Sequence, residues 1–143
     1  MPLAAAQVID ALAARLVPVA ATAGRVYASR AWPLDEASLP AWRVVAADEV
    51  AERVDLGGLH LHRLEVDATA YTRVVTDLDD ALHALASAGL AVLFAGTVPY
   101  DLACTGIGRA ITQEGEAAVG AITLRLVATY YLNPAQPDTL LSS

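Results

Sequence analysis

Apolar residues recur along this chain with two different periods, and the change from one to the other marks out its elements. From Ala4 to Val17, the residues Val8, Ile9, Leu12 and Leu16 return at three- and four-residue steps while Asp10 and Arg15 fall off that face. That spacing predicts an amphipathic helix, ended by Pro18 and Gly24. The period then drops toward two. Strands are predicted at Arg25–Ser29, at about Ala41–Asp48 and at about Leu59–Thr72. In the third, Leu64, Val66, Ala68 and Ala70 share one face, and Arg63, Glu65, Asp67 and Thr69 share the other. The charged stretch Glu49–Gly58, ending in Gly57-Gly58, predicts a long exposed hairpin loop between the second and third strands.

Helical spacing returns after Thr76, a good N-cap, with Asp79 three residues on as the other half of a capping-box arrangement. Asp77, Asp79 and Asp80 fall in the first turn, where they favour the positive helix end. Leu78, Ala81, Leu82, Leu85, Ala88 and Val92 then form an apolar stripe reaching about Phe94. Gly89 within it either weakens the helix by roughly 1 kcal/mol relative to Ala or permits close packing on a sheet. Beyond the Gly96–Pro99 break, two strands are predicted at about Leu102–Gln113 and Ala117–Leu132, joined through Glu114-Gly115-Glu116.

The order is therefore helix, three strands, helix, two strands. It predicts a single α+β domain over residues 1–132, with a mainly antiparallel sheet of about five strands and both helices on one face. Residues 133–143, with Pro134 and Pro137, cannot join a sheet interior and are expected to be extended or disordered. One further segment stands out. Arg25–Trp42 reads as a strand, an extended link closed by Pro33 and Pro40, and a second strand start. Trp32 and Trp42 flank that link; tryptophans so placed either anchor an interface or seal the edge of a core.

Composition narrows the function classes. A chain of 143 residues has room for one core without disulfides or metal. Its 56% hydrophobic and 17% charged residues compare with roughly 25% charged in an average domain. A chain this poor in charge needs an efficient core or a partner over its apolar surface, which favours oligomerisation. The net charge of −7, with all nine basic residues being scattered arginines, argues against a nucleic-acid-binding face. Cys104 is the one cysteine, so no intrachain disulfide forms, and a cytoplasmic origin is the default. Gln7, Asp10 and Arg15 interrupt the apolar N-terminus, which does not read as a secretory signal. The longest uncharged run, Ala84–Tyr100, carries Gly89, Gly96 and Pro99 and is shorter than the ~20 residues of a bilayer span. A soluble protein is expected, with no membrane partner.

Each group capable of chemistry has a plainer explanation. His60 and His62, at i and i+2 on a strand, point to one face and would bind zinc only with a third ligand, which the sequence does not place. Cys104, in Ala103-Cys104-Thr105-Gly106, reads as a buried inert thiol more readily than as a nucleophile. Gly106-Ile107-Gly108 starts like a dinucleotide fingerprint, but the third glycine position is Ile111 and no strand–turn–helix frames it; the pair marks a bulge or a close backbone approach. Helix capping already accounts for Asp77, Asp79 and Asp80. No catalytic residue, metal or cofactor is expected.

The segments taken together resemble the tail terminator proteins of long-tailed phages, the minor tail protein U type with relatives in prophages and gene transfer agents. The likeness is carried by Ile9-Asp10-Ala11-Leu12 in the first helix, Gly24-Arg25-Val26-Tyr27 with Arg30, Pro33-Leu34 and Leu39-Pro40-Ala41. It continues through Arg63-Leu64-Glu65-Val66-Asp67, Leu78-Asp79 and the final strand Ala121–Tyr131. The resemblance implies a homo-hexameric ring at the head-proximal end of the tail tube. Such a ring stops tube polymerisation and meets a stopper or head-completion protein in the virion neck. An acidic lumen would let phage DNA pass without sequence-specific binding. On that reading Arg30, Trp32, Trp42, Arg53 and Tyr100, with the Glu49–Gly58 loop, are the candidate interface positions. Other expectations to weigh are a different neck component, a small enzyme using His60, His62 and Cys104, and a ligand-binding domain with a closed pocket.

Overall fold

The alternation of apolar and polar residues in the two longest strands decides how this sheet is built. The computed structural model describes residues 3–22, 25–28, 40–54, 58–73, 77–96, 100–114, 117–137 and 139. Helix α1 (Ala4–Leu16) precedes strands β1 (Val26–Tyr27), β2 (Ala41–Arg53) and β3 (His60–Arg73); helix α2 (Leu78–Leu93) precedes β4 (Asp101–Glu114) and β5 (Ala117–Leu132). The sheet order is β1-β2-β3-β5-β4, giving the expected α+β class. Every pair is antiparallel except β1 with β2, which run parallel in the register Val26↔Trp42. Residues 28–40 make that connection, and its two ends are tied where Trp42 N–H donates to Arg25 O and Arg25 Nε donates to Pro40 O, both at 2.9 Å.

β3 and β5 pair without interruption from His60↔Leu132 to Arg73↔Val119. Because paired residues share a face, Leu64, Val66, Ala68 and Ala70 line up with Ala128, Leu126, Leu124 and Ile122. All eight are buried in one core with Val8, Leu12 and Leu16 of α1 and Leu82, Leu85 and Leu93 of α2. Both helices thus cover one face. On the opposite face Thr69 and Thr123 join hydroxyls at 3.0 Å, and no helix among the described residues packs there.

Three expectations change in detail. The charged stretch after Asp48 does not begin a loop: β2 runs on to Arg53, because a bulge between Ala46 and Glu49 restores pairing with β3 as far as Arg53↔His60. Val54 N–H then donates to Leu59 O at 3.0 Å, and Gly58 turns the chain with φ 91°. Residues 55–57 lie outside the described set. At α2 the N-cap position is Asp77, whose side chain makes no capping hydrogen bond; Thr76, the predicted cap, is outside the described residues. The first residues of the C-terminal tail are neither extended nor loose. Ala135 N–H donates to Asn133 Oδ1, and Ala4 N–H at the start of α1 donates to Pro137 O at 2.9 Å.

Gly89 settles its two readings in favour of close packing. A Cβ there would stand 2.6 Å from Cη2 and Cζ2 of Trp42, whose side chain is fully enclosed between α2 and the sheet. Ordinarily Gly→Ala in a helix stabilises by about 1 kcal/mol. Here overpacking, typically about 1–3 kcal/mol, opposes it. Gly89→Ala is expected to forfeit the usual gain and destabilise by up to about 2 kcal/mol in urea unfolding. In a Trp42→Phe background the same substitution should be neutral or stabilising, since the clashing ring atoms are gone.

Candidate functional site

Of the predicted interface positions, Arg30 and Trp32 lie outside the described residues. Trp42 does not serve as a surface anchor: it is 0% exposed, its ring filling the space over Gly89 within its own chain. The picture of two tryptophans held at a subunit boundary is corrected accordingly for Trp42. Its indole N–H has no partner among the described residues, so its place rests on packing. Tyr100 is likewise enclosed, at 5% exposure, beside Arg15 at the end of α2. Burial pushes its phenol up from the ordinary value, with Arg15 pulling the other way. Arg53 remains at the surface, at the distal end of β2 opposite His60.

The chemistry-bearing residues are redistributed as well. Cys104 is exposed on β4 instead of buried, with its thiol 3.6 Å from Gly106 O. The reason is that β4 forms an edge of the sheet, pairing only with β5 among the described residues. Gly106 and Gly108 provide both features foreseen for them. The β4–β5 register shifts between Cys104 and Gly106, and the guanidinium of Arg125 lies over both glycines, 2.7 Å from where a Gly108 Cβ would stand. His83 on α2 accepts from Arg109 Nε at 3.0 Å, far in the fold from its two fellow histidines. No group of three potential metal ligands occurs among the described residues.

What the sequence did not assemble is a polar cluster at the other end of the sheet. The bulge in β2 places Glu49 opposite Leu64, on the helix-bearing face, beside His62 and its partner Tyr130. Glu49 Oε1 accepts from the Tyr130 hydroxyl and from His62 Nδ1, the latter at 2.9 Å. The His62 and Tyr130 rings stack with centroids 5.4 Å apart and planes inclined by 12°. These three side chains line a cavity of about 310 Å³ whose remaining wall is mostly apolar, including Leu3 and Ala5 of the α1 end, Leu132 of β5 and Pro137 of the tail. Shared parity of His62 and Tyr130 with the core residues was readable in the sequence; the inward turn of Glu49 required the bulge.

A second surface is the free edge of β4. It carries Ile107 at 38% and Ile111 at 66% exposure on the helix-bearing side. Ile111 adjoins Leu78 and the carboxylates Asp77, Asp79 and Asp80 at the start of α2. Neither proline nor lysine occurs in β4; of the usual guards of a strand edge it keeps a bulge, between Cys104 and Gly106, and the inward-facing Arg109. Fold and surfaces together define an α+β domain with an open sheet edge and a small cavity under the helix ends. Comparison with known proteins gives no match: no family model fits the sequence and no curated protein is significantly similar.

The buried phenols set an alkaline limit on stability. Burial, the hydrogen bond to Glu49 and that carboxylate's charge all push the Tyr130 phenol well above its ordinary value. A folded-state value raised above the unfolded one, near 10, contributes stability that is complete below about pH 10 and lost as pH rises through the folded value. Urea midpoints followed from about pH 8 upward should therefore fall in the alkaline range. Tyr130→Phe should lower stability at neutral pH by about 1 kcal/mol and flatten the alkaline fall.

Proposed function

We propose that this chain is a tail terminator: six copies close into a ring that caps the head-proximal end of a phage tail tube and meets a stopper or head-completion protein in the virion neck. The reading requires no catalytic residue. It requires a closed head-to-tail interface around the ring, with one ring face matching the tube and the other the neck. The observation that carries it is the open edge of β4, with its exposed Ile107 and Ile111, in a chain whose charged content is low. An open edge and exposed isoleucines are what a subunit contact would cover. The segment likeness to tail terminators along both helices and the long strands adds the particular assembly. The net charge of −7 suits a lumen through which DNA slides without binding.

The test is native mass measurement and electron microscopy of the protein alone and with polymerising tube protein. Rings of six copies, or tubes capped at one end with a narrowed length distribution, are expected. A protein that neither associates with itself nor alters tube growth overturns the proposal. Ile111→Glu, at a mostly exposed position, should shift stability by no more than about 0.5 kcal/mol and weaken ring closure or capping by about tenfold or more. Unchanged assembly in that variant would remove β4 from the interface.

A further inference from the structure

The cavity under the N-terminal end of α1 combines features that the assembly reading does not use. Its volume, about 310 Å³, lies at the small end of the roughly 300–1,000 Å³ range of small-molecule sites. That limits an occupant to a single ring or a short alkyl chain. The wall is apolar over most of its area; of its polar side chains, His62 and Tyr130 bond to the Glu49 carboxylate, and His60 also lines the wall.

The hydrogen-bond inventory bears on the sign of the occupant. Glu49 Oε1 is held by two donors, the Tyr130 hydroxyl and His62 Nδ1. Glu49 Oε2 and His62 Nε2 have no partner among the described residues. His62 Nδ1 is spent on Oε1, which leaves Oε2 as the free acceptor of the carboxylate. Among the described residues no arginine lines the cavity, and the Ala4 N–H at its α1 end is committed to Pro137 O. A partly exposed carboxylate beside an apolar wall, with one oxygen left over, is complementary to a donor-rich cation. Tyr130, fully buried and stacked on His62, holds the carboxylate from behind and leaves the open side to a ligand.

The geometry points to a binding site for a small organic cation, a primary ammonium or amidinium on an apolar body, with its nitrogen at Glu49 and its body against Leu3, Ala5 and Leu132. The site is formed within one chain. Its occupant bridges α1, the distal half of β2 and the C-terminal tail.

The experiment titrates the full chain with benzylamine, protonated at neutral pH, and with benzyl alcohol and benzoate as neutral and anionic counterparts, read by amide chemical shifts and calorimetry. Saturable benzylamine binding is expected, about tenfold or more tighter than either counterpart, with shifts centred on Glu49, His62 and Ala5. Glu49→Gln should weaken it by about tenfold. Ala51→Phe, at an exposed position on the cavity wall, should abolish it while circular dichroism stays unchanged; this variant decides the matter should Glu49→Gln fail to fold. Absence of saturable binding, equal binding of benzyl alcohol, tighter binding of benzoate, or binding that survives Ala51→Phe each overturns the site.

Discussion

The unbroken antiparallel register between β3 and β5 is the constraint on which everything else in this molecule rests. It runs from His60↔Leu132 to Arg73↔Val119 with no shift. A slip of one residue would set the apolar face of one strand against the polar face of the other, turning Leu64 and Val66 out to solvent and bringing Glu65 and Asp67 under the helices if β3 is the strand that moves. The charged residues on the outward face therefore specify the register by exclusion, as strongly as the apolar ones do by burial. Once these two strands are locked, the helices have one face available, and the flanking strands β2 and β4 adapt to a template already set.

They adapt by bulging, and each bulge changes which residues face inward. In β2 the even positions Trp42 and Val44 are buried in the core, but after the shift between Ala46 and Glu49 the odd positions Glu49, Ala51 and Arg53 pair with inward-facing residues of β3. In β4 the sequence passes from Leu102 and Cys104 to Ile107, Arg109 and Ile111 in the same way. Bulges re-aim side chains where an unbroken ladder would not. One delivers a carboxylate to the stacked His62–Tyr130 pair; the other puts two isoleucines and an arginine along an open edge.

This explains what could be read in the sequence and what could not. The helices, the five strands and their one-sided burial follow from local periodicity, because α1, α2, β3 and β5 each keep one period throughout. β2 and β4 do not keep a period, since a bulge offsets it by one. The charged residues from Glu49 onward consequently looked like a loop, and Cys104 looked buried when its strand is an edge. Trp42 carries the same lesson at the level of packing. Its size made it a candidate anchor on any surface, and only its juxtaposition with Gly89, distant in sequence, shows that the cavity it fills is inside.

A mismatch in length locates both remaining surfaces. Helices of 13 and 16 residues span about 20 and 24 Å, whereas strands of 14 and 16 residues span about 46 and 53 Å. Two such helices cannot cover the full length of such a sheet. Where cover ends, the inward-facing positions must be polar, paired or shielded by something else. At the α1 end the solution is a Glu49–His62–Tyr130 cluster under a tail tied to Ala4, which leaves a cavity. At the outer edge, Arg109 leans on His83 while Ile107 and Ile111 are left uncovered. The first arrangement is a cavity scaled to a small molecule. The second offers open backbone and apolar side chains along a strand, which a single small molecule cannot satisfy and another protein surface can.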